Sequence, residues 1–144
     1  MLSKLIQYME YEKILLNQLV KYAELQQESL RAFDVKSIEQ YSEFQDKVSV
    51  KLKLAEKERI DMIMSWMGLT KTEAMSLKLS TIESKLKGNN FKIVSNLRTK
   101  LSELTEKLNS LNNNNRILIN RTKNSVQNMM DIFTNGRNIF NVKV

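Results

Sequence analysis

Apolar side chains recur along the first part of the chain in steps of three and four. Leu2, Leu5, Met9, Leu16, Leu19, Ala23, Leu30 and Phe33 form one stripe, interrupted by Glu12 and Gln26. A second stripe runs through Ile38, Tyr41, Val48, Leu52, Ala55, Met62 and Trp66, interrupted by Gln45 and Arg59. Such spacing places residues on one face of a helix and, sustained over several turns, reads as a heptad seam. The pattern predicts helices over about Leu2–Phe33 and Val35–Met67, with Asp34 as N-cap of the second and Gly68 as the residue that ends it. The short turn between them makes the two helices antiparallel neighbours.

Laid side by side outward from that turn, the stripes match rung for rung. Phe33 meets Ile38, Ala23 meets Val48, Leu19 meets Leu52, Met9 meets Met62 and Leu5 meets Trp66. In the same register Gln26 meets Gln45 and Glu12 meets Arg59. An unpaired buried charge costs several kcal/mol, so acid opposite base and amide opposite amide specify one alignment. Glu12, Arg59, Gln26 and Gln45 are therefore read as structural register pairs and not as catalytic groups.

Residues 69–90 break the pattern. Thr70 with Glu73 and Ser80 with Glu83 are two capping-box signatures, predicting short helices or turns in a mobile connector closed by Gly88 and Asn89 or Asn90. A third tract starts near Phe91, with Val94, Leu97, Leu101, Leu104, Leu108 and Leu111 as its seam. Beyond Leu111 the apolar face passes through Asn115, Ile119, Thr122, Val126, Met129 or Met130 and Phe133. Two successive steps of four make a stutter, which rotates the face. The run Asn112–Asn115 sits on it, and whether the helix continues through that run is left open by the pattern. If it does, the tract is roughly 65 Å long and outruns the hairpin.

The expected fold is all-α: an elongated antiparallel helical hairpin plus a long third helix, a coiled-coil-like three-helix bundle. One domain of 144 residues is expected, with a hairpin over 1–68, a connector over 69–90, a long helix over 91–135 and a flexible tail over 136–144.

Composition narrows the function. The chain has no His and no Cys, which removes the commonest general base, the commonest metal ligand and any thiol nucleophile. Its three glycines stand apart at 68, 88 and 136, so no phosphate-cradling loop is present. An enzyme is not expected and no cofactor is implied. The net charge is +7, but basic residues alternate with acidic ones as in KLKLAEKER, and no aromatic–basic interleaving offers a stacking platform. That distribution argues against nucleic acid. No apolar stretch approaches the ~20 residues of a membrane span, and the N-terminus lacks a signal-peptide pattern, so membrane insertion is not expected and a cytoplasmic location is.

Two features suit protein binding. Methionine adapts to variable partners; Met129 and Met130 lie where covering helices run out, whereas Met62, Met64, Met67 and Met75 around Trp66 read as core filling. Asn112 and Asn115, three apart beside Leu118 and Ile119, can offer amides to a partner while their apolar neighbours supply area.

The stretch Leu111, Asn112, Asn115, Leu118, Ile119, followed by NRTKNSVQNMMDIFTNG, resembles the C-terminal region of the FlgN family of flagellar export chaperones. An acid in the first helix and AEKERI in the second extend the likeness over essentially the whole chain. The resemblance implies a cytoplasmic chaperone that holds hook–filament junction (hook-associated) proteins unassembled for type III secretion. Export-apparatus components are further candidate partners. It implies client binding through Leu111, Asn112, Asn115, Leu118, Ile119, Val126, Met130 and Phe133. The alternative is a structural coiled-coil or adaptor protein that self-associates through the same face; the oligomeric state is open.

Overall fold

The structure, a computed structural model, describes residues 1–133, without the side chains of Val126 and residues 129–133. Every element among the described residues is a helix: α1 Leu2–Arg31, α2 Val35–Met67, α3 Lys71–Ser76, α4 Leu79–Glu83 and α5 Gly88–Phe133. The molecule is an all-α bundle built on α1, α2 and α5. Helix α1 is the central rod. It packs along both α2 and α5, whose side chains share its apolar clusters, while no Cα of α2 comes within 8 Å of α5 among the described residues.

Local sequence explains each boundary. Asp34 caps α2, its carboxylate accepting from Ser37 N at 3.2 Å and from Ser37 Oγ at 2.7 Å. Gly68 ends α2 in the left-handed conformation with φ +65. Thr70 caps α3: its hydroxyl accepts from Glu73 N, as in a capping box, and donates to the Glu73 carboxylate, which closes on the hydroxyl and not on the Thr70 backbone. Ser80 does not repeat this. It lies inside α4, whose N-cap is Lys78, and Glu83 is turned toward α5 instead.

The end of α1 departs from the expected ladder. The helix stops at Arg31, and Asp34 N bonds Ser29 O at 3.0 Å while Phe33 N bonds Leu30 O at 3.3 Å. This is a Schellman motif with Phe33, φ +56, where glycine is usual. Phe33 is 62% exposed and does not pair with Ile38. Left-handed backbone costs an L-residue about 1–2 kcal/mol. Phe33→Gly is therefore expected to raise the unfolding free energy by about 0.5–1 kcal/mol, after the greater unfolded-state entropy of glycine, as a higher thermal midpoint.

Two apolar clusters fill the bundle. One joins Leu5, Met9, Met62, Ile63, Ala74, Ile82, Val94 and Leu97, with Trp66, Leu69, Leu77, Leu79 and Leu86 packed on it. The other joins Leu15, Leu16, Leu19, Val48 and Ala55, with Leu52, Leu101, Leu104 and Leu108 against it. Leu101 touches both. The connector expected to be mobile is anchored: Ile82 is fully buried and Glu83 pairs with Arg98 of α5. Its leucines supply the apolar contacts that its lack of periodicity concealed.

Candidate functional site

The polar rungs meet across the α1–α2 seam. Arg59 Nε donates to Glu12 Oε1 at 3.1 Å and Oε2 at 3.2 Å. Glu12 is 4% exposed. Burial pushes its carboxyl above the ordinary carboxylate value, against the downward pull of the Arg59 charge and hydrogen bond. Gln45 Nε2 donates to Gln26 Oε1 at 3.0 Å, and Gln26 Nε2 donates to Ser42 Oγ at 2.8 Å. Each group finds a partner, as a buried polar network requires.

Helix α5 runs through the asparagine run without a break, 46 residues and about 69 Å in all. The run divides. Asn112, Asn113 and Asn114 are exposed, and Asn113 accepts from Arg116. Asn115 is 3% exposed, and its Nδ2 donates to the Ala23 carbonyl of α1 at 2.9 Å. The expectation of Asn115 as a partner-facing amide is thus corrected: it continues the seam of Leu108 and Leu111 and points inward, into the α1–α5 contact. Its Oδ1 is buried without a hydrogen-bond partner. A carbonyl only accepts, so the amide must aim its NH2 at Ala23 and leave its oxygen unsatisfied. Asn115→Asp is expected to lower the unfolding free energy by about 2 kcal/mol, because a carboxyl oxygen replaces the donor. Asn115→Leu is expected to be neutral or stabilising in the same thermal melts.

Successive helical residues are 100° apart, so Leu118 and Ile119 flank Asn115 on opposite sides. Both are half-buried, as is Leu111. Leu118 lines a groove of ≈ 280 Å³ between α1 and α5, together with Gln27, Arg31, Asn114, Ile117 and Arg121. Ile117 is 50% exposed there. The α5 lining residues fall at i, i+3, i+4 and i+7 from Asn114, a stripe beside the core seam that the sequence displays but whose neighbour it does not name. Arg31, the last residue of α1, shares this groove with Arg121, so α5 continues to Phe133 roughly a dozen residues, or about 18 Å, beyond its partner. Val126, Met130 and Phe133 belong to that extension; their side chains lie outside the described residues.

Charge follows the same geometry. From Lys107 to Met130 the chain has Lys107, Arg116, Arg121 and Lys123 and no acidic residue. Lys107 is bridged to Glu24 at 3.3 Å. Arg31, Arg121 and Lys123 have no ion-pair partner among the described residues. Among the described residues no group of His, Cys, Asp or Glu could hold a metal ion, and no helix is long and apolar enough to cross a membrane.

A long helix that outruns its supporting rod, with a basic, partly apolar face, is a shape suited to receiving another chain. Comparison with known families decides the lineage: the FlgN protein family matches residues 1–142. The chain belongs to the FlgN family. FlgN is a chaperone family, not an enzyme family, and is associated with flagellar export. No curated protein or solved structure was found to match the chain.

Proposed function

We propose that this FlgN-family protein is a cytoplasmic export chaperone. It binds the helical termini of flagellar hook-associated proteins and keeps them unassembled until type III secretion. The observation that carries the reading is the extent of α5. Its first half is buried against α1 and the connector, whereas from Asn112 onward it presents Asn112, Leu118 and Ile119 beside the end of α1 and then runs on unaccompanied by α1. The family resemblance adds Leu111, Val126, Met130 and Phe133 to the proposed client-binding residues, and Asn115 ties α5 to α1 from within.

The mechanism needs no chemical step. An amphipathic client helix gains by covering half-buried apolar positions on α5, and its own apolar face is then unavailable for self-association. The rigid hairpin keeps α5 in the conformation the client requires, which lowers the ordering cost of binding.

The test is sedimentation of the full chain with and without a purified hook-associated protein from the same cell. A one-to-one or low-order complex, from a chain that does not oligomerise alone, is the expected result. Self-assembly that client leaves unchanged would instead identify a structural adaptor.

A further inference from the structure

The groove between the end of α1 and the middle of α5 has a feature that client capture by apolar contact does not use. Arg31 comes from α1, Arg121 from α5, and Ile117 and Leu118 lie with them in the same groove. Both arginines are exposed, and neither has an ion pair among the described residues. Among the described residues five basic side chains pair with acids, Lys13 with Glu10, Arg59 with Glu12, Arg98 with Glu83, Lys100 with Glu103 and Lys107 with Glu24, and the other lysines and arginines do not. Here the acids are missing from the sequence of α5 itself, over the whole span Lys107–Met130.

Two residues past Arg31 stands Phe33, exposed and in a left-handed backbone that glycine would adopt without strain. Val35, at the same turn, is 61% exposed. An apolar side chain held outward at an energetic cost contributes nothing to the fold, and such outliers gather where a partner is met.

We infer that this groove and the adjoining hairpin tip form a docking site for an acidic amphipathic helix. One apolar residue of the partner seats on Ile117 and Leu118, and carboxylates beside it meet Arg31 and Arg121. Guanidinium groups suit this task because they pair with carboxylates through two parallel hydrogen bonds and are weakly hydrated. A protein helix fits better than nucleic acid because the groove's lining includes Ile117 and Leu118, and the single exposed aromatic ring at the tip, Phe33, offers no row of platforms for successive bases. The inference deepens the chaperone reading by naming the charge of the segment such a site selects.

The experiment uses the full chain and two fluorescein-labelled peptides of about 20 residues, long enough for five helical turns. They share one apolar stripe and differ in bearing glutamate or lysine at the flanking positions. Fluorescence anisotropy is expected to show the acidic peptide binding at least about tenfold tighter, with the preference weakening as salt is raised. The double variant R31E/R121E should invert the preference. Both arginines are exposed, so circular dichroism should report an unchanged fold. Equal binding of the two peptides, or an acidic preference that survives in R31E/R121E, overturns the inference. So does a 20-nucleotide single-stranded RNA that binds as tightly as the acidic peptide. A dimer of the wild-type chain that R31E/R121E dissociates also overturns it, since a second copy would then occupy the groove. Capture of a hook-associated protein undiminished in R31E/R121E leaves the chaperone reading standing and sinks this one. Peptide selectivity without any such capture does the reverse.

Discussion

Replacing Arg59 with alanine is expected to lower the unfolding free energy by ~3 kcal/mol or more. The reason is what remains. Glu12 is nearly enclosed between α1 and α2, and both its oxygens accept from the Arg59 guanidinium. Without that donor a carboxylate is left in a poorly solvated site, or it must take up a proton. Breaking a buried pair from one side is costly, whereas exchanging both partners for apolar residues of similar volume is often neutral. Glu12→Leu combined with Arg59→Met should therefore recover most of the stability lost by Arg59→Ala in urea melts. The combined variant should lose the penalty against sliding α1 past α2.

The same pair sets a pH dependence. Burial raises the folded carboxyl of Glu12 above its unfolded value. Between the two values the folded chain holds more proton than the unfolded one. Stability from this group thus falls as pH rises through that window and is regained on mild acidification. Glu83 acts oppositely: the Arg98 hydrogen bond holds its carboxyl below the ordinary value, so its contribution is present above that value and lost as pH falls through the lowered one. Melts at about pH 7 and about pH 5 should show wild type gaining on Glu12→Gln at the lower pH. An unchanged difference would mean Glu12 is not the group responding.

The second large effect is expected in client capture. Leu118→Asp should weaken binding of a hook-associated protein by about 30-fold or more, the loss of one central anchor of at least ~2 kcal/mol. Leu118 is half-buried in the groove beside Arg31 and belongs to neither apolar cluster, so the fold does not rest on it. The helix propensity lost on changing Leu to Asp is only about 0.5 kcal/mol. Melting should therefore move little while capture collapses. Ile119→Asp, on the other side of Asn115, should behave the same way. If either variant unfolds the chain, the residue is core and the binding face has been misplaced.

Much of the hairpin was legible because its signals are local or complementary. Period and caps place α1 and α2, and the meeting of Glu12 with Arg59 and Gln26 with Gln45 follows from counting outward from one turn. The last rung was not legible. Phe33 continues the apolar stripe, but the Schellman bonds to Ser29 and Leu30 draw its backbone out of the helix and its ring into solvent. The step of four from Leu111 put Asn115 on the apolar face, but its partner there, the Ala23 carbonyl, was not legible. A stutter tells how far a face rotates, not what stands opposite.

By itself the sequence determined three long amphipathic helices, the alignment of the first two, the absence of histidine and thiol chemistry, and a resemblance that the family match over residues 1–142 bears out. Periodicity and capping act within a few residues of chain, and charge complementarity across a tight turn needs no other information. Only the tertiary structure decided that α1 is the central rod and that α3 and α4 are anchored to the core. It also decided that Asn115 is spent on Ala23 while Arg31 and Arg121 share a groove. Those facts depend on how far α5 slides along α1, and that offset is set by the packing of side chains about ninety positions apart, a separation over which no local rule acts.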